Sequence, residues 1–83
     1  MTWFVDWTRT AGNDLAELDP KTRRRVFQTI EKYATTGHAD VKRLKGSDQY
    51  RLRVGDWRVR FEALKAERKL RILRVLHRRE AYR

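Results

Sequence analysis

The sequence predicts an α+β domain: an N-terminal strand, a two-helix hairpin, then a three-stranded antiparallel meander, with the helices packed on one face of a twisted sheet. Three observations predict it. Residues 2–8 (TWFVDWT) and 50–61 (YRLRVGDWRVRF) alternate apolar with polar side chains, the period of a half-buried strand. Residues 9–36 carry apolar positions at helical spacing. Residues 70–77 (LRILRVLH) are apolar on both faces, as a central strand is. A strand, two helices and then a run of strands is the order of an α+β layer architecture. The 83 residues suit a single domain spanning 1–83.

Each element follows from its residues. Trp3, Val5 and Trp7 alternate with Phe4 and Asp6 in the first strand. In RTAGNDLAEL, Ala11, Leu15 and Leu18 share one helical face despite Gly12, which weakens a helix interior. Asp19-Pro20 then supplies an N-cap and a first-turn proline, and the second helix runs to about Thr36. Val26, Phe27, Ile30, Tyr33 and Ala34 form its apolar stripe, and Gly37 suits its C-terminal stop. HADVKRLKGSDQ reads as a loop anchored by Val41 and Leu44. Gly55-Asp56 divides the next stretch into a hairpin, glycine at the first turn position fixing the register. Val54 then pairs with Trp57, Leu52 with Val59 and Tyr50 with Phe61 on one face. Arg53 faces Arg58, and Arg51 faces Arg60, on the other. Lys65–Lys69 make a polar turn, and the final residues, RREAYR, a short polar tail. Trp3, Trp7, Trp57, Phe27 and Phe61 follow the core periodicities and read as packing.

The arginine face is the unusual feature. Like charges opposed across a ladder are destabilising, and a polyanionic partner would relieve the repulsion. The wider charge pattern agrees. The chain carries 21 basic and 11 acidic residues, net +10. Residues 1–50 hold 9 basic and 7 acidic residues, and residues 51–83 hold 12 and 4. A concentrated basic half is the footprint of a nucleic-acid or acidic-protein partner. Cysteine is absent, so there is neither disulfide nor thiolate metal site. No apolar run approaches membrane-spanning length, and the strand-like start lacks the shape of a signal peptide, so a cytoplasmic protein is expected.

The opening strand–helix–helix, VKRLKG before the hairpin, YRLRVGDWRVRF, and the ending VLHRREAY together resemble the RelE/ParE toxin superfamily, on its RelE side. The resemblance implies a type II toxin neutralised by a cognate antitoxin in a hetero-oligomer. RelE-type members cleave mRNA, typically on the ribosome, without metal, by attack of the ribose 2′-hydroxyl. ParE-type relatives share the fold and inhibit DNA gyrase. A degenerate copy that only binds its antitoxin is a third reading.

Carried over position by position, the family's functional residues fall on Arg51, Arg53, Arg58, Arg78 and Tyr82. RelE has lysines where this chain has Arg51 and Arg53. Arginine stays protonated in any ordinary site, so these two are poor proton acceptors. His77, beside Arg78, offers a proton carrier with a suitable pKa; the plain alternative is a histidine hydrogen-bonded at a strand end. Tyr82 has the chemistry to stack on a base or handle a proton, or else folds back onto the sheet. A second basic set, Lys21, Arg23, Arg24 and Arg25 on the second helix with Lys42, Arg43 and Lys45 in the loop, and Arg60 on the hairpin, reads as RNA or ribosome contacts, or as a solvated charged surface. The two histidines lack paired carboxylates, and no glycine loop or nucleophile triad occurs, so neither metal nor cofactor is expected.

Overall fold

The computed structural model describes residues 2–81. Strand β1 (Phe4–Trp7) leads into helices α1 (Arg9–Ala16) and α2 (Pro20–Thr36), followed by strands β2 (Val41–Arg43), β3 (Gln49–Val54), β4 (Trp57–Leu64) and β5 (Lys69–His77), and a short helix α3 (Arg78–Ala81). The strands form one five-stranded sheet in the order β1-β5-β4-β3-β2. β1 runs parallel to β5, while the other pairs are antiparallel. The last strand is thus held between the first strand and the hairpin, which ties the two ends of the fold together.

Local chemistry starts each helix where the residues predict. Thr8 caps α1, its Oγ1 accepting from the Ala11 amide at 3.2 Å and donating to the Ile72 carbonyl at 2.8 Å. One hydroxyl thereby starts the helix and fastens it to β5. Asp19 caps α2 by accepting from the Thr22 amide and hydroxyl, with Pro20 in the first turn. These bonds hold the Asp19 carboxyl below its usual 3.8. The cap therefore contributes above that pH and loses its contribution as pH falls through the lowered value. Gly37, at φ +75°, ends α2 in the left-handed conformation, with its amide on the Tyr33 carbonyl.

The core lies between the helices and one face of the sheet. Val26, Ile30 and Ala34 of α2 and Ala11 of α1 meet Leu52, Val54, Val59, Phe61, Leu70, Ile72 and Val75, all buried. Tyr50 and Tyr33 flank the Phe61 ring at 5.4 and 5.6 Å between centroids. Phe27 departs from the expected stripe. It stacks on Trp7 at 6.3 Å but remains 43% exposed.

The segment expected to be a loop contributes a strand. Val41, Lys42 and Arg43 pair with Leu52, Arg51 and Tyr50. Three residues, two of them charged, carry too little periodicity to announce a strand; an already formed β3 edge recruits them. The expected polar tail begins instead with α3, which packs on β5 and β4 and buries Ala81. The alternation of β5 is broken by a bulge. Arg60 pairs with Arg74 but Phe61 with Ile72, leaving Leu73 as an extra residue. Leu70 and Ile72 face the core before it, and Val75 after it.

Candidate nucleic-acid interface

The face of the sheet opposite the core is cationic, and register puts its charges in rows. The hairpin pairing is the one expected: Arg53 opposite Arg58, Arg51 opposite Arg60. Gly55, at φ +58°, supplies the left-handed first turn residue that fixes it. The Arg51–Arg60 row continues on both sides, to Lys42 on β2 and Arg74 on β5. The row nearer the hairpin turn holds Arg53, Arg58 and Leu76. The row on the other side holds Gln49, Glu62, Arg71 and Asp6, with Arg71 Nε 3.6 Å from the Asp6 carboxylate. Charge on this face is therefore zoned, with cations toward the hairpin turn and a mixed row away from it.

Several of these cations have carboxylate neighbours. Arg53 Nε lies 3.1 Å from Asp40, and Arg78 Nη1 lies 3.9 Å from Asp56. Both pairs are mostly solvent-exposed. Such pairs are worth only about 0.2–1 kcal/mol, so a phosphate displaces the carboxylate at little cost. Arg74 is held more firmly. Asp14 of α1 accepts from Arg74 Nε at 2.9 Å and from Nη2 at 3.4 Å, which raises the guanidinium pKa further above its ordinary value.

Arg58, one of the expected functional positions, is buried. It is 6% exposed, and its Nη1 donates to the Gly55 and Trp57 carbonyls at 2.8 and 3.0 Å. It thus closes the hairpin from beneath. Arg78 stands at the same end, its amide on the Asp56 carbonyl at 2.7 Å. Arg25 reaches the turn from α2: a Cβ at position 55 would lie 3.1 Å from Arg25 Nη1. Arg25, Arg58 and Arg78 therefore converge on one two-residue turn from three separate elements.

His77 is not among them. It is opposite Trp57, their rings edge-to-face at 5.2 Å, on the helix-covered side. Arg58 is opposite Leu76 on the other side. The β5 bulge thus sets His77, the expected proton carrier, on the face opposite the hairpin arginines. Its Nδ1 accepts weakly from the Arg79 amide at 3.4 Å, the strand-end bond of the plainer reading. Tyr82 lies outside the described residues.

The secondary basic set divides. Arg23 is structural: its guanidinium donates to the carbonyls of Leu15, Ala16 and Leu18 at 3.3, 3.2 and 2.9 Å, satisfying the C-terminal end of α1. Arg43 bonds the Ser47 carbonyl and approaches Asp48 at 4.0 Å, bracing the β2–β3 loop. Lys21, Arg24, Lys42 and Lys45 are exposed. Arg23→Ala is expected to cost about 1–2 kcal/mol in chemical denaturation, because charge-assisted bonds to orphan carbonyls are lost. RNA binding by the folded protein should stay unchanged. Sequence reading missed Arg74, Asp14 and Glu62. Only the bulged register reveals Arg74 beside Arg60.

Among the described residues no cluster of histidines, cysteines or carboxylates is suited to a metal ion, and no helix is long and apolar enough to cross a membrane. A five-stranded sheet backed by two helices, with arginines on the face opposite the core, places the chain in a class of small basic α+β proteins. Residues 5–82 match the family described as the ParE toxin of type II toxin–antitoxin systems. The chain is also 36% identical to the Methanocaldococcus jannaschii protein named "Putative toxin RelE1", over 99% of its own length and 97% of that protein. The chain belongs to the RelE/ParE family of type II toxins. Among solved structures, it resembles the archaeal RelE–RelB complex of Pyrococcus horikoshii at a TM-score of 0.81 and 26% identity, covering 94% of this chain and 97% of that one. It resembles the RelB–RelE antitoxin–toxin complex of Methanococcus jannaschii at 0.76 and 28%, covering 93% and 94%. Free Escherichia coli RelE, in a double arginine mutant, matches at 0.82 with 14% identity over 99% of this chain and 90% of that one, a likeness of fold alone.

Proposed function

We propose that this toxin is a metal-independent endoribonuclease that cleaves mRNA on the ribosome in the cytoplasm and is neutralised by a cognate antitoxin covering its basic face. The observation that carries the reading is the pair of arginine–arginine rungs, Arg53–Arg58 and Arg51–Arg60, on the face of the sheet opposite the core, where Arg53 is exposed and Arg58 is buried. Attack by a neighbouring 2′-hydroxyl needs the phosphate held in line and its growing negative charge stabilised. Guanidinium forks do both, because they bind phosphate oxygens bidentately and stay charged. Arg51 and Arg53 position the backbone. Arg78, exposed at the end of β5, stabilises the pentavalent phosphorus, and Arg58 keeps the hairpin end rigid beneath it. With His77 on the other face, Tyr82 remains the expected residue for stacking and proton transfer. Catalysis then leans on charge and alignment more than on a strong base. The solved complexes of relatives with RelB antitoxins support an antitoxin partner for this chain.

Primer extension on mRNA from cells expressing the chain tests the reading: discrete cuts within codons are the expected result. Matching the ParE family, together with arginine where RelE has a base lysine, favours one rival, a non-catalytic gyrase inhibitor. Intact mRNA with a supercoiling defect would establish that rival.

A further inference from the structure

We propose that Lys42, Arg51, Arg60 and Arg74 form a track for the sugar–phosphate backbone of single-stranded RNA, laid across the strands, and that Asp14 sets the β5 end of this track by holding Arg74. The proposal rests on the RNA-cleaving reading and adds to it a path and two residues outside the expected set.

The register sets these four side by side, Lys42 opposite Arg51, Arg51 opposite Arg60 and Arg60 opposite Arg74. Neighbouring strands lie about 4.8 Å apart, so the row is about 14 Å long. A strand of a few nucleotides spans this length, so the row can engage successive phosphates. No aromatic side chain or amide stands in the row. It holds cations alone, whose general partner is the phosphate backbone. A straight row of cations suits a nucleic-acid strand, which carries a charge at every repeat.

Arg74 owes its place to an edge. β1 ends at Trp7 opposite Ile72, so beyond the bulge β5 has no strand on that side. Asp14 fills the gap. Its Oδ2 accepts from the Val75 amide and from Arg74 Nε, both at 2.9 Å, and its Oδ1 from Arg74 Nη2 at 3.4 Å. One carboxylate thus satisfies the free edge and fixes the direction of the guanidinium, with Nη1 outside the pair. The bulge that brings Arg74 into the row also frees the amide that recruits Asp14.

A fluorescein-labelled oligouridylate, titrated with the full chain at several salt concentrations, tests the track. Arg74→Ala and Lys42→Ala should each reduce the slope of log K against log salt by about 0.7, one phosphate contact on a single strand. Lys32→Ala, on the solvent side of α2, should leave it unchanged. Asp14→Ala is the sharper arm. It raises the net charge by one, so a purely electrostatic role would tighten binding. A positioning role lowers the slope as Arg74→Ala does, with Asp14→Asn restoring part of it, since the amide oxygen can still accept from the Val75 amide and Arg74 Nε while the bond from Nη2 is lost. Circular dichroism keeps unfolded variants out of the comparison. Unchanged slopes in Arg74→Ala and Lys42→Ala, or an equal loss in Lys32→Ala, would overturn the track. Tighter binding by Asp14→Ala would overturn the role of Asp14. Polyglutamate displacing the oligonucleotide at equal charge would make the row a protein-docking face and overturn the proposal too. Altered slopes without mRNA cleavage would sink the nuclease reading alone, and cleavage with unaltered slopes the track alone.

Discussion

Arg78→Ala should lower mRNA cleavage about 10²–10³-fold, the loss typical when one fixed donor to a developing oxyanion is removed, and relieve the growth arrest caused by expression. Stability should barely change. The side chain is 61% exposed and its contact with Asp56 is 3.9 Å, so little packing or hydrogen bonding is lost. The link to the turn runs through the Arg78 amide on the Asp56 carbonyl, which alanine retains. Antitoxin binding should remain measurable, because the other cations of the face are untouched. The measurement is primer extension beside thermal unfolding of the same preparation. Cleavage at the wild-type level would remove Arg78 from the site. A matching loss in Arg58→Ala would carry a different meaning. Arg58 is buried and bonded to hairpin carbonyls, so its removal disturbs the scaffold, and only a variant of normal melting temperature would be informative.

How legible this site was in the sequence depended on one structural detail. The hairpin rungs were readable to the residue, because a glycine turn and strict alternation leave one register. The charge asymmetry between the halves pointed to the same face. Beyond Ile72 the residues mark a strand without marking which side chains face the core. Unbroken alternation from Leu70 would bury Arg74 and set His77 beside the arginines. The extra residue at Leu73 reverses both, since a one-residue slip turns every later side chain to the other face. Bulges leave no dependable mark in a run of Leu, Ile, Val and Arg, where either phase has apolar side chains to bury. β2 was lost for another reason: its formation depends on a neighbouring edge and not on its own three residues. Arg23 shows the limit of reading charge as function. Its spacing along α2 matched that of its basic neighbours, yet it caps carbonyls eight, seven and five residues away.

Phe61→Ala should be the most destabilising single change in the chain, costing about 3–5 kcal/mol. Phe61 is 1% exposed and leads the fully buried side chains by volume. Its ring lies between those of Tyr50 and Tyr33. It follows Arg60 on β4 and pairs with Ile72 at the bulge. A small domain has roughly 5–15 kcal/mol of stability in all, so this loss leaves a large unfolded fraction near physiological temperature. Phe61→Leu should cost clearly less, since most of the volume is kept. Denaturant midpoints with slopes compared across the three proteins measure the effect. The consequence for function is specific. Phe61 anchors the covered face at the point where the bulge sets the phase of β5, so loosening it should blur the alignment of Arg60 with Arg74 before the sheet is lost. In partly destabilised Phe61→Leu, the salt slope of oligouridylate binding should therefore fall toward that of Arg74→Ala at temperatures where circular dichroism still reports the native fold. A slope equal to the wild type throughout would mean that the cationic row is held by the open face alone, independent of the core behind it.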